Sequence, residues 1–200
     1  NNKLYVTVNN SHGNNNGTLF GFDISDPTAK PIFLFGVDNS TTVSQGLNAV
    51  AVSGHYAYVA NAYNGSSAAC VTGTNCAQLQ IIDLDNLAAP YVNLKIPAIA
   101  NGNKLAYGTS IFYNNGYIYL GLARANVSGS EFYVIDVGGG GLPASPTNPI
   151  IKGNYAVGNG VNAIFVQNSY AYIASPNDEN LIILDISNPL SPNYVSGYNP

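Results

Sequence analysis

Ala57-Tyr58-Val59-Ala60 and Gln80-Ile81-Ile82-Asp83-Leu84-Asp85 are two short runs of β-branched and aromatic residues, and each recurs three more times. The first returns as Leu4-Tyr5-Val6-Thr7, Ile118-Tyr119-Leu120-Gly121 and Ala171-Tyr172-Ile173-Ala174. The second returns as Phe20-Gly21-Phe22-Asp23-Ile24-Ser25, Tyr133-Val134-Ile135-Asp136-Val137-Gly138 and Ile182-Ile183-Leu184-Asp185-Ile186-Ser187. The tyrosines stand 53, 61 and 53 residues apart, and the aspartates 60, 53 and 49. Helical periodicity is absent. A self-similar unit of this length, made of strand-like runs, defines a repeat architecture.

Two further runs flank this pair. Upstream lies an alternating stretch: Ala49-Val50-Ala51-Val52, Ser110-Ile111-Phe112-Tyr113 and Ala163-Ile164-Phe165-Val166. Tight turns rich in Gly and Asn (Ser53-Gly54-His55, Asn114-Asn115-Gly116, Gln167-Asn168-Ser169) join it to the tyrosine run. Such residues tolerate the positive φ of two-residue hairpins. Downstream, a turn carrying proline leads to Ile32-Phe33-Leu34-Phe35, Val92-Asn93-Leu94, Ile150-Ile151 and Tyr194-Val195. Each unit therefore reads as four antiparallel strands, A to D. Repetition of such units about an axis predicts an all-β fold, a β-propeller of four-stranded blades. The whole chain, 1–200, reads as one such domain, with repeats at about 1–46, 47–107, 108–160 and 161–200.

The stretches 51–60 and 181–189 resemble the LVIVD-repeat propeller family, and Leu4-Tyr5-Val6-Thr7-Val8-Asn9-Asn10 resembles the related YVTN-type repeats of microbial surface proteins. The resemblance implies extracellular or cell-surface proteins without one assigned activity. Two departures stand out. The third unit has Gly138-Gly139-Gly140-Gly141 where the family pattern has Ser-Asn-Pro. The first unit lacks its inner strand A, which leaves fifteen strands where four blades need sixteen. Either the chain is part of a larger propeller, the reading favoured here, or another chain supplies a strand.

Composition narrows the partners. Apolar residues make up 46% of the chain, enough to fill a core, while charged residues make up only 8%, against about 25% in an ordinary domain. The net charge is −4 and Arg124 is the single arginine, so the chain offers phosphates no basic surface and nucleic acid is not an expected partner. No apolar run is long enough to span a membrane as a helix. The chain contains no Met, which reads as a processed or partial chain.

Loop lengths differ by face. The long loops all join strands B and C: 9–17, 61–78, 123–130 and 175–180. In a propeller the B–C and D–A loops share one face, and variable loops carry function. Five Asn-x-Ser/Thr sequons, at Asn9, Asn16, Asn39, Asn64 and Asn126, all fall on that face and are candidate N-glycosylation sites. Cys70 and Cys76 are the only cysteines and share a polar loop. Two thiols cannot complete a zinc site, and the spacing is not that of a redox pair. A local disulfide in an oxidising compartment is the expected form, over two free thiols.

Candidate chemistry is sparse. Asp23, Asp83, Asp136 and Asp185 recur with the repeat and are expected to accept turn amides rather than to react, since one per blade cannot form a carboxylate pair. No metal site is expected. Asp83 with Asp85, and Asp178 with Glu179, supply oxygens suited to calcium but not its usual ligand spacing. His12 and His55, the only histidines, fall on opposite faces, so they cannot share a metal or serve one triad. Loop tyrosines such as Tyr63 suit sugar contact better than the strand-B tyrosines, which pack between blades.

Two functions fit. The first is a non-catalytic, extracellular or cell-surface propeller serving as a structural, filament, sheath or adhesion module. Its partners would be other copies of the protein or surface glycans, held by strand or loop contacts, and it needs no cofactor. The alternative is a secreted hydrolase or lactonase with a site at the central channel, where Asn48, Thr109, Ser110 and Asn162 would supply amides and hydroxyls.

Overall fold

A computed structural model describes residues 2–8, 18–38, 46–61, 77–88, 92–96, 100–101, 104–123, 129–176 and 179–200. The first sheet contains β1 (Lys3–Val8), β2 (Thr18–Asp23) and β3 (Ile32–Asp38). The second contains β4 (Leu47–Ser53), β5 (Tyr56–Asn61), β6 (Leu79–Asp83) and β7 (Val92–Leu94). A two-stranded ladder follows, β8 (Ala100–Asn101) with β9 (Lys104–Leu105). The third sheet holds β10 (Gly108–Asn114), β11 (Tyr117–Leu122), β12 (Phe132–Asp136) and β13 (Ile150–Tyr155). The fourth holds β14 (Ala163–Gln167), β15 (Tyr170–Ala174), β16 (Leu181–Asp185) and β17 (Asn193–Tyr198). Strands pair antiparallel in chain order within every sheet, and the described residues contain no helix. The first sheet has three strands, as the missing A run predicts.

Local chemistry sets the details. Asn115 (φ 48°) and Gly116 (φ 78°) both have the positive φ that a type I′ hairpin requires, and they close β10 onto β11. Strand C stops at its aspartate in every sheet, one residue short of the apolar pattern. The residue after each aspartate still donates its amide backwards to the residue before strand B or in the A–B turn: Ile24 to Asn2, Leu84 to His55, Val137 to Gly116 and Ile186 to Ser169, at 2.7–2.8 Å. Bulges recur at Gly21/Phe22, Val134/Ile135 and Ile183/Leu184, one residue pair in the same repeat position, and add local twist. The β8–β9 ladder has no apolar alternation and was not legible as strand.

Side-chain parity builds the core. In β5, Ala57 and Val59, with Ile82 of β6, face the first sheet and pack on its Leu19 and Val37, while Tyr58 and Ala60 face the third. In β11 and β12, Ile118, Leu120, Tyr133 and Ile135 face the second sheet, and Tyr119, Phe132 and Val134 face the fourth. Three apolar layers thus lie between four successive sheets, with β4 packed on β10 and β10 on β14. This is a propeller-like succession, and it is open: Phe33 at one end and Phe165 at the other are 58% and 53% exposed.

Candidate functional site: the braces between sheets and the two faces

The repeated aspartates sit where strand C turns into the C–D connection. Asp23 Oδ1 accepts the Ser25 amide at 2.8 Å, Asp83 Oδ1 the Asp85 amide at 2.9 Å, and Asp185 Oδ1 the Ser187 amide at 2.8 Å. Each carboxylate captures the amide two residues on and pulls it out of the ladder, which ends the strand. The Ser25 amide and hydroxyl hold Asp23 below the usual carboxylate range, and Ser187 does the same for Asp185.

Asp136 occupies the same position in another setting. It is fully buried, and its Oδ1 accepts the amides of Gly138 at 2.9 Å and Gly140 at 3.1 Å. Its Oδ2 accepts no hydrogen bond of good geometry but lies 3.3 Å from Lys152 Nζ. Burial works to raise the pKa of this carboxyl, yet the two amides and the ammonium outweigh it and hold the group below its ordinary value. The glycine run explains the burial. A Cβ on Gly140 would collide with Asp136 Oδ2, and one on Gly139 with the Asn115 carbonyl. The four-glycine turn is therefore a tight wrap around a charge.

Polar side chains at two other repeat positions brace one element on the next. Asn48 Nδ2 donates to the Gly108 carbonyl at 2.7 Å, and Thr109 Oγ1 donates to the Val161 carbonyl. Both tie the start of one inner strand to the start of the next. Gln78 accepts the Ile96 amide at 2.8 Å and donates to the Ala106 carbonyl at 3.0 Å. Glu131, five residues before its strand-C aspartate like Gln78, accepts the amides of Val157 at 2.8 Å and Gly158 at 3.1 Å. Gln78 and Glu131 are both buried, and each stitches strand C to the linker that leads into the next sheet. The sequence reading missed this pair. Aligning the repeats on the aspartate exposes it, as a polar residue at a fixed offset ahead of an apolar strand.

The groups cast as channel donors in the enzyme reading are thus partly committed elsewhere. Asn48 and Thr109 bond neighbouring backbone, Ser110 is buried, and Asn162 is exposed. His55 Nδ1 lies 3.6 Å from Asp85 Oδ2 at the exposed A–B end, with its ring 4.3 Å from that of Tyr56. Glu179 Oε1 accepts the Tyr194 hydroxyl at 2.9 Å. Among the described residues no three His, Cys, Asp or Glu side chains converge as a metal site. Cys70, Cys76, the sequons at Asn9, Asn16, Asn39, Asn64 and Asn126, and also His12, Tyr63 and Asp178 lie outside the described residues.

Repeated antiparallel sheets, packed in chain order and braced at fixed repeat positions, make an all-β repeat protein of propeller-like arrangement. The LVIVD repeat model, a repeat family associated with β-propeller folds, matches residues 48–65 and 160–200, in the second and fourth units. The YVTN-like opening at 4–10 lies outside the matched stretches. No curated protein sequence matches the chain. Among solved structures the chain is similar to the AfRom2 CNH domain, at 12% identity and a TM-score of 0.52, over 97% of this chain. The match spans 49% of that structure's chain, and at this identity it speaks to the fold alone.

Proposed function

We propose that the chain is an arc of a larger β-propeller acting outside the cell, or on its surface, as a non-catalytic structural or adhesion module. The observation that carries this reading is the use of the buried polar side chains. Gln78, Glu131, Asp136 and Ser175 all bond backbone groups and hold sheets and turns together. Polar chemistry inside this fold is spent on architecture.

Solubility comes from neutral groups, with charge at 8% of residues, and four of the five sequons lie in the long B–C loops that vary between repeats, with Asn39 in a D–A loop of the same face. Such loops suit contacts with glycans or with neighbouring copies, and Cys70 and Cys76 would close one of them in an oxidising compartment. The test is location combined with chemistry. Cells that make the protein are fractionated, and envelope, secreted and cytoplasmic fractions are probed for the chain. Peptides bearing Asn9, Asn16, Asn39, Asn64 and Asn126 are examined for glycan, and the Cys70–Cys76 peptide for a disulfide. The reading expects an envelope or secreted pool, an intact disulfide and at least one occupied sequon. A cytoplasmic chain with both thiols free and bare asparagines overturns it.

A further inference from the structure

Each four-run unit ends on its D strand, and the outer edge of that strand pairs with no other strand among the described residues. We infer that β3, the D strand of the first sheet, pairs edge to edge and antiparallel with β3 of a second copy. Neither location nor glycan occupancy enters into this pairing. It rests on the D-strand edges alone.

An open edge is a template for another strand, and natural sheets blunt it with shortness, charge or proline. The four D strands differ in this respect. β7 has only three residues, and β13 carries Lys152 at its bulge. β17 mixes Asn193, Ser196 and Gly197 among its larger residues and begins directly after Pro192. β3 is the longest of the four, at seven residues, and the run Ile32-Phe33-Leu34-Phe35-Gly36-Val37 contains no charge, no proline and no polar side chain. A bulge recurs in β3, β13 and β17, so added twist does not set them apart.

Ile32, Phe33 and Leu34 are 65%, 58% and 43% exposed, three consecutive large apolar side chains in water. At Ile32 and Leu34 this exposure is independent of anything that might precede the first sheet. Ile32 stands opposite Asp23 and so shares the face of Leu19 and Val37, which the second sheet covers. Its side chain projects past that cover at the rim. Leu34 is the bulge residue and has no partner on β2.

The occupant is a second copy because this stretch is complementary to itself. Lys30 precedes the apolar run and Asp38 closes it. Antiparallel pairing centred on Leu34 sets Leu34 against Leu34 and Phe33 against Phe35. It also brings position 30, a lysine, across from position 38, an aspartate, at both ends of the junction. Parallel pairing would set lysine on lysine and aspartate on aspartate. Pairing one patch with itself about a two-fold axis closes at a dimer. A single strand edge buries less than a standard interface, so the expected Kd is on the order of 10–100 µM.

Sedimentation velocity over about 1–500 µM tests the 200-residue chain. The mass should rise from 20.9 kDa towards twice that value. Leu34→Lys introduces the residue type that the third sheet carries at the same bulge, so circular dichroism should show a folded chain, while the Kd rises at least about tenfold. Lys30→Glu and Asp38→Lys each set like charges against one another at both ends and should each weaken the dimer about three- to tenfold. An equimolar mixture of these two variants should recover, because opposite charges then meet at both ends. Hydrogen exchange at 32–37 should slow as concentration rises, while β7, β13 and β17 stay unchanged. A chain that is monomeric at about 500 µM overturns the inference and leaves this edge to a foreign strand. A dimer that Leu34→Lys does not weaken overturns it too, as does a mixture that fails to recover or protection that rises at another strand instead. A monomer leaves the surface-module reading standing, since location and glycan occupancy test that separately. A cytoplasmic location leaves the edge pairing standing.

Discussion

The third and fourth sheets are built from the same phrase, yet only the third is covered on both sides. Phe132 and Leu181 both stand four residues before their strand-C aspartate; Phe132 is fully buried and Leu181 is 36% exposed. Asp136 is sealed beneath glycines beside Lys152, while Asp185 makes its single turn bond in the open. The repeat therefore fixes backbone chemistry, and the neighbours fix what that chemistry is worth. Aligned residues in the two sheets form natural control pairs.

The largest difference is expected in the apolar layer. Phe132→Ala should cost about 3–5 kcal/mol, since it empties a filled site between two sheets. Leu181→Ala should cost well under that, about 1 kcal/mol or less, because its side chain is already partly in water. Urea unfolding of both variants measures the gap. Equal losses would mean that the fourth sheet's outer face is covered in solution.

The charged pair comes next. Asp136→Asn keeps an acceptor for the two glycine amides but turns an amide towards Lys152 and leaves that ammonium without its partner. The expected loss is about 2–3 kcal/mol, below the full cost of breaking a buried pair because Lys152 is itself partly solvated, at 29% exposure. Asp185→Asn should lose visibly less. A Lys152→Met partner variant separates the terms: in a double-mutant cycle Asp136 and Lys152 should be coupled, while Asp185 and Lys152 should be additive. Gly140→Ala tests the wrap itself and should cost about 1–3 kcal/mol through overpacking against the carboxylate. If it costs nothing, the turn is as loose as its composition suggests.

The repeat phrase made the strands, the antiparallel order, the three-stranded first sheet and the turn positions legible, because strand alternation and turn chemistry are local. What the sequence hid was non-local. Gln78 and Glu131 read as ordinary polar residues until the linkers they bind, at 96–106 and 157–158, come into view. Four glycines signal freedom, and only the packed Asp136 carboxylate and Asn115 carbonyl show why no side chain fits there. At the A–B end the Leu84 amide reaches the His55 carbonyl and so brings Asp85 beside His55, a pairing that the sequence reading did not make.

The smallest effect is also the most diagnostic of the repeated aspartates. Asp23, Asp136 and Asp185 are all held below the ordinary carboxylate range, so the unfolded chain takes up protons first as pH falls. Their contribution is present in full above the unfolded value of about 4 and is lost as pH drops through the lower folded values. Stability should therefore fall below about pH 4, and Asp136→Asn should flatten that slope more than Asp185→Asn, since Asp136, unlike Asp185, also has an ammonium beside it. The alkaline limb runs the other way. Burial pushes the Tyr119 and Tyr133 hydroxyls up to about 12, so stability they contribute is present below about pH 10 and lost as pH climbs through 12. Tyr119→Phe should soften the alkaline loss and leave the acid limb unchanged. An acid limb that Asp136→Asn does not alter would mean that the buried carboxylate is no more tightly held than its exposed counterpart.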